Sequence, residues 1–447
     1  MEERLRFGGL GNANITQKLK MKNPKIGFVG MTHLGLVSGA SAAEKGFEVV
    51  CFDQSPTLIQ EIADGKLPVS EPELDKLFSF NRERLEITAQ PEDLFKCDLI
   101  YVAPDIATDD FGVSDLSAID QLLDLTFSFA RPDAVIVVLS QVPPGYVRKK
   151  QMKRRHLFYQ VETLIFGQAV QRALFPERYI VGCSSPSDPL PPSYLKFLEA
   201  HNCKILPMRY ESAELAKISI NMFLVSSVTI TNTLAELCEE ISADWAEIVP
   251  ALRLDKRIGQ HAYLNPGLGI SGGNLERDLA TLKNYANRFD TDCGIVDAWL
   301  HNSIHRKNWL WKVLQKEKLD KGVGVRISIL GLTYKENTHS IKNSPAINFI
   351  KNLRNFKVSA YDPCAPMNAI SHDILRVSSA RDALLGADVL VVATAWPEFA
   401  SLSVDEICGA MDGKVIVDPY KVLDGMKLKS LGFSYYSLGN ANQFTEP

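Results

Sequence analysis

The chain has 447 residues, enough for about three domains at roughly 150 residues each. Its 46% hydrophobic and 23% charged content is that of a globular protein with several buried cores. With 49 Lys and Arg against 53 Asp and Glu, the formal net charge is −4, and no long basic run offers the wide basic face that nucleic-acid recognition needs.

Residues 1–24 are polar and basic with no apolar core, so they read as an N-terminal extension rather than a signal peptide. Short β-rich runs follow at Ile26–Val29, Val49–Phe52, Leu99–Ala103, Val135–Leu139 and Tyr179–Val181, with helical patterns between the earlier ones. The cluster Arg148-Lys149-Lys150 with Lys153-Arg154-Arg155 is too narrow for recognition of nucleic acid and reads as a surface helix. Glu211–Ile241 has neither Gly nor Pro and is apolar on all sides, so a buried helix at a domain junction is expected there. Thr291–Leu319 is a second helical stretch, and strands return at Arg326–Leu330, Lys357–Tyr361, Val389–Ala393 and Lys414–Val417. The fold class is α/β, with two Rossmann-like doubly wound domains joined by a central helical domain. The boundaries fall at 25–209 for the dinucleotide-binding domain, 210–320 for the centre and 321–447 for the second Rossmann-like domain. The eight cysteines form no CxxC pair and sit mostly in apolar runs, which fits free thiols in a cytoplasmic, reducing setting. No unbroken apolar run of about 18 residues suggests a membrane span, and no metal site is expected.

The first site lies in Gly27-Phe28-Val29-Gly30-Met31-Thr32-His33-Leu34-Gly35, after a strand and at the start of a helix. Gly30 and Gly35 hold the first and third glycine places of a dinucleotide fingerprint, but Thr32 holds the second. Its side chain either pushes the phosphates outward or replaces a backbone contact with its hydroxyl. Asp53 ends the next strand and suits the hydroxyls of an adenosine ribose, pointing to NAD rather than NADP. The alternative is a Rossmann turn that binds nothing.

Many motifs then occur in a familiar order: Lys25-Ile-Gly-Phe-Val-Gly30, Gly65-Lys-Leu-Pro-Val-Ser-Glu-Pro-Glu-Leu74, Val142-Pro-Pro-Gly145, Glu214-Leu-Ala-Lys217-Ile-Ser-Ile-Asn221, Leu254-Asp-Lys-Arg257-Ile-Gly259, Asn265-Pro-Gly-Leu-Gly269, Gly331-Leu-Thr-Tyr-Lys335, Ser344-Pro-Ala346, Tyr361-Asp-Pro363, Ala393-Thr-Ala-Trp396 and Ile416-Val-Asp418. From Lys25 to Gly439 the chain resembles the nucleotide-sugar 6-dehydrogenases of UDP-glucose and GDP-mannose type. The resemblance implies NAD as cofactor, a nucleotide-diphosphate sugar as substrate and a homodimer in which Arg257 reaches the neighbouring subunit's sugar site. It implies oxidation in two halves: an alcohol goes to an aldehyde, then a cysteine captures the aldehyde for a second hydride transfer, with a glutamate helping hydrolysis.

Residues for the first half are present. Lys217 and Asn221 are four apart and share a helix face. A lysine in so apolar a helix suits proton work near neutrality, although an ion pair with Glu214 is the structural alternative. Asp278 stands where the family holds a water, or is simply an acid favoured by the start of a helix. The second half is depleted. In Pro266-Gly-Leu-Gly-Ile-Ser271-Gly-Gly-Asn274-Leu-Glu276-Arg277-Asp278, Asn274 stands at the cysteine place, either as a helix cap or as a sugar contact. Of a glutamate pair, Glu162 remains and Phe166 replaces the other, while Gln141 stands at a threonine place. Lys342 and Tyr420 hold arginine places, Lys342 among the contacts to cofactor phosphate. Tyr263, Gly267, Gly269, Gly272 and Lys335 belong to the implied sugar and nucleotide contacts. The expected activity is therefore a two-electron, NAD-dependent oxidation of a nucleotide sugar, either terminal or transient and coupled to epimerisation or elimination. The alternatives are an inactive nucleotide-sugar-binding homologue and a full 6-dehydrogenase with a cysteine-independent route.

Overall fold

The computed structural model describes residues 23–109, 113–151, 156–320, 324–370 and 374–440. Most of the N-terminal extension and residues 152–155 of the basic cluster lie outside them. Within that cluster Arg148 pairs with Glu211 and Lys150 with Asp120.

A first sheet runs β3-β2-β1-β4-β5-β6-β7-β8, from β1 (Ile26–Val29), β2 (Val49–Phe52), β3 (Leu85–Thr88), β4 (Leu99–Val102), β5 (Val135–Val138), β6 (Leu157–Gln160), β7 (Arg178–Cys183) and β8 (Lys204–Arg209). Neighbours are parallel except β6 and β7. A second, wholly parallel sheet runs β11-β10-β9-β12-β13-β14, from β9 (Arg326–Leu330), β10 (Lys357–Tyr361), β11 (Leu375–Arg376), β12 (Val389–Val392), β13 (Val415–Val417) and β14 (Ser434–Tyr436). The central strands are buried along their whole length, as parallel strands covered by helices on both faces must be. Strands β3, β6, β8, β11 and β14 lack such runs in the sequence. The edge strand β8, Lys-Ile-Leu-Pro-Met-Arg, is largely exposed and carries Pro207, which only an edge or irregular position tolerates.

Between the sheets the Tyr210–Glu240 helix packs on β6 and β7 and on the helices Asn274–Phe289 and Gly294–Lys307. It is not buried all round, which corrects the sequence reading. Glu214, Ile218, Asn221, Val225, Thr229 and Asn232 form its buried face, while Leu215, Phe223, Ile230, Leu234 and Leu237 are exposed. Among the described helices it alone is long and apolar enough to cross a membrane. Its buried acids argue for a place inside the protein: Glu239 accepts from Arg306 and Trp309, and Glu214 from the backbone N–H groups of Gly145 and Val147.

Candidate active site

The glycine turn joins β1 to the His33–Glu44 helix. Gly30 has φ +94°, and a Cβ there would stand 3.0 Å from the Pro104 nitrogen, so only glycine fits without strain. Asp53, at the end of β2, accepts from the Met31 N–H at 2.8 Å and the Ser55 N–H at 3.0 Å. Those bonds leave acceptor capacity on the carboxylate for a ribose diol. The Thr32 hydroxyl donates to the Ala103 carbonyl and accepts from the Asp105 N–H at 2.9 Å. Asp105 in turn sets a carboxylate 3.2 Å from the His33 backbone nitrogen, at the helix start where the dipole favours an anion. The glycine turn beside an acid with free lone pairs fits the ribose of a dinucleotide, and a bound phosphate would take the His33 N–H from Asp105. Leu34 and Gly35 continue the helix as buried positions. The buried His33 ring lies 3.0 Å from Glu71 and packs at a tilt of 31° on Phe166, with centroids 4.2 Å apart.

The second cluster gathers on the buried face of the central helix. Lys217 Nζ donates to Glu162 Oε2 at 3.2 Å and to the Glu162 carbonyl at 2.9 Å. Its partner is therefore Glu162, just beyond β6, and not Glu214. Glu214 is engaged by Gly145 and Val147, and burial pushes its carboxyl up to about 7 against those two N–H groups. Four residues along, the Asn221 amide donates to Asp278 Oδ2 at 2.5 Å. Asp278, 1% exposed, also accepts at Oδ1 from Gln141 Nε2 at 2.6 Å and Arg277 Nε at 3.2 Å.

Asn274 opens the helix that carries Asp278. Gly273 is the N-cap and no side chain caps the helix, so the capping reading of Asn274 is corrected. Asn274 is exposed and precedes Asp278 by four residues, on the same face. The preceding loop is held by close approach. Gly269 has φ +85° and a Cβ would lie 2.6 Å from the Ser303 carbonyl. Gly272 has φ +79° and packs on Tyr334, and Gly267 donates to Asn232 at 2.8 Å. Burial raises the Glu276 carboxyl, which accepts from Asn343 and Lys307.

Two lysines from the second Rossmann-like domain reach the first. Lys335 Nζ donates to the Phe166 carbonyl at 3.0 Å, and burial lowers its pKa. Lys342 Nζ donates to the Thr108 carbonyl at 2.8 Å and the Asp109 carbonyl at 3.2 Å. Two residues stay outside these clusters within their own chain: Arg257 pairs with Asp255 and is 88% exposed at its side chain, and Tyr263 is 46% exposed. Sequence reasoning gave no role to Glu71, Asp105 or Arg277. Glu71 has a signal in retrospect, since an acid in Ser70-Glu71-Pro72 that becomes buried must find donors, and it takes the N–H groups of Gly167 and Ala169.

A dinucleotide turn in one Rossmann-like domain, a second such domain whose lysines reach it, and a lysine–asparagine–aspartate cluster where the central helices meet the first domain define a nicotinamide-dependent dehydrogenase. Models of the UDP-glucose/GDP-mannose dehydrogenase family match residues 24–189 as its NAD binding domain, 211–303 as its central domain and 328–425 as its UDP binding domain. The UDP-glucose 6-dehydrogenase of Rickettsia conorii is 31% identical over 93% of this chain and 99% of its own. A UDP-glucose dehydrogenase structure from Pyrobaculum islandicum superposes with a TM-score of 0.80 at 23% identity, covering 90% of this chain and 96% of that one. A UDP-D-ManNAc dehydrogenase structure from Pyrococcus horikoshii also gives 0.80 at 22% identity, covering 94% and 100%. The chain belongs to the UDP-glucose/GDP-mannose dehydrogenase family, whose members are NAD-dependent nucleotide-sugar dehydrogenases, and its cofactor is NAD.

Proposed function

We propose that this protein oxidises one alcohol of a nucleotide-diphosphate sugar, with UDP as the nucleotide, to a carbonyl and stops after two electrons. One observation carries the reading. The groups for a proton and a polarised oxygen, Lys217 with Glu162 and Asn221 with Asp278, are assembled on one buried helix face, while a carboxamide, Asn274, stands where an acyl-forming thiol would be needed. Gly30, Thr32, His33 and Asp53 would hold NAD, which when bound accepts the hydride from the carbinol carbon. The Lys217–Glu162 couple takes the hydroxyl proton, so one C–H and one O–H bond are exchanged for C=O. The Asn221 amide, its nitrogen committed to Asp278, offers its oxygen to orient that hydroxyl. A carbonyl so made acidifies the neighbouring C–H, which opens epimerisation or elimination if the reduced cofactor stays bound. The name of the Rickettsia relative supports a second reading, a four-electron UDP-sugar 6-dehydrogenase that oxidises an aldehyde hydrate.

The active unit in this reading is a homodimer. Leu215, Phe223, Ile230, Leu234, Leu237 and Ile241 leave an apolar stripe open along the central helix, and Arg257 has no role within its own chain's site. Burying each such side chain contributes about 1.5–3 kcal/mol, so Phe223→Glu with Leu237→Glu is expected to give a monomer by light scattering. The eight unpaired cysteines fit a reducing compartment. The test of the chemistry is NADH formation from a panel of UDP-sugars. Lys217→Ala should lower turnover by about 10²–10⁴-fold with far less change in sugar affinity, and wild-type turnover in that variant would refute the proton role.

A further inference from the structure

We propose that Gln141, braced by Arg277, is a positioning residue of the oxidation: it fixes the Asp278 carboxylate and, through it, the orientation of the Asn221 amide. The inference rests on the proposed oxidation and adds a residue to it. Gln141 sits on the loop after β5 in the first sheet, whereas Asp278 belongs to a helix of the centre, 137 positions away. The two are joined by a closed ring. Gln141 Nε2 donates to Asp278 Oδ1 at 2.6 Å, Arg277 Nε donates to the same oxygen at 3.2 Å, and Arg277 NH2 donates to Gln141 Oε1.

Chemistry leaves that ring one arrangement. A guanidinium only donates and an ionised carboxylate only accepts, so the glutamine must turn its oxygen to Arg277 and its nitrogen to Asp278. A hydrocarbon side chain at 141 would satisfy neither partner. Arg277 is 7% and Asp278 1% exposed, and a small cavity bounded by Ser114, Gln141, Ile218 and Thr281 lies against both. Unpaired polar atoms there would be costly. With Oδ1 held by two donors, Oδ2 faces Asn221, 2.5 Å away. Because that oxygen only accepts, the Asn221 amide presents its NH2 group to it. The amide oxygen is then the atom left for a substrate hydroxyl. Losing Gln141 frees the carboxylate to rotate and the amide to flip, with no loss of any group that touches NAD.

Steady-state kinetics of the full-length protein test the proposal. Gln141→Leu is expected to cut kcat by up to about 10²-fold, the scale of a small misplacement of a reacting group, with KM for sugar and NAD affinity nearly unchanged. Gln141→Glu supplies the sharper signature. It faces Asp278 with a second carboxylate. Arg277, which touches both, favours their ionised forms, but at the Asp278 contact one carboxyl must carry a proton to donate, so its kcat should recover as pH falls, where the new side chain can donate again. The wild type should show no such recovery. A mere strut between domains would move the unfolding temperature in both variants without this pH-dependent kcat. If Gln141→Leu fails to fold, the Gln141→Glu profile decides alone. Wild-type kcat in Gln141→Leu, or a Gln141→Glu deficit equal at every pH, overturns the positioning role while leaving the oxidation standing. A wild type inert toward every nucleotide sugar removes the oxidation and this inference together.

Discussion

The two Rossmann-like domains begin alike and end differently. In the first, Gly30 at φ +94° donates its N–H to the Phe52 carbonyl, and Asp53 accepts from Met31. In the second, Gly331 at φ +96° donates to the Tyr361 carbonyl, and Asp362 accepts from Leu332. Each glycine follows the strand third from one edge of its sheet, and each aspartate follows the strand beside it. Among the described residues Asp53 then spends only one more bond, on Ser55. Asp362 is consumed: it also takes the N–H groups of Thr333, Cys364 and Ala365, the Thr333 hydroxyl and the Trp396 indole. A helix follows the first turn at His33, but the second runs through a loop to a helix at Pro345. Sequence position alone would make both acids ribose ligands. The number of donors aimed at each leaves one open for the ribose contact proposed for it and makes the other a structural hub.

The largest expected effect breaks the hub. Asp362→Ala strands several buried donors and should cost more than about 4 kcal/mol, read as a lowered denaturation midpoint, while Asp53→Ala should cost no more than about 1 kcal/mol. Equal losses would erase the distinction. Next, Asp53→Ala should weaken NAD binding by about tenfold, roughly 1.4 kcal/mol, in calorimetry, and narrow the preference for NAD over NADP. Tighter NADP than NAD binding by the wild type would contradict the role given to Asp53. The smallest effect is in pH. Burial pushes Asp362 up, but the N–H groups of Leu332, Thr333, Cys364 and Ala365 together hold it below its ordinary 3.8. A depressed carboxyl contributes stability that is present above 3.8 and lost as pH falls through the folded value. Acid unfolding of the wild type should carry this component below about pH 4, and Asp362→Asn should lack it.

How far the sequence could be read follows from the same physics. The strands that are buried on both faces spell themselves out as apolar runs, and a helix of 31 residues without Gly or Pro could hardly be missed. Strands β3, β6 and β8 are not buried along their whole length, and their partners rather than their residues make them strands. In the site, the helix face shared by Lys217 and Asn221 was legible because helix spacing is local. The partner of Lys217 was not. Glu214 stood at the right spacing, yet folding turned it to the N–H groups at 145 and 147 and brought Glu162 from beyond β6 instead. The Gln141–Asp278 bond is likewise a product of domain packing and leaves no trace in spacing. The exposed stripe on the central helix reads as core in the sequence, because exposed and buried apolar residues look the same in one chain.

The count of cofactor reduced per sugar consumed tests the central claim most directly. A nucleotide sugar that the protein turns over should be incubated with limiting sugar and excess NAD, with NADH followed by absorbance and the product by mass. With Asn274 at the thiol position, the expected result is at most one NADH per sugar and a product two mass units lighter or an isomer of the substrate. Two NADH per sugar with a uronic acid as product would contradict the two-electron account.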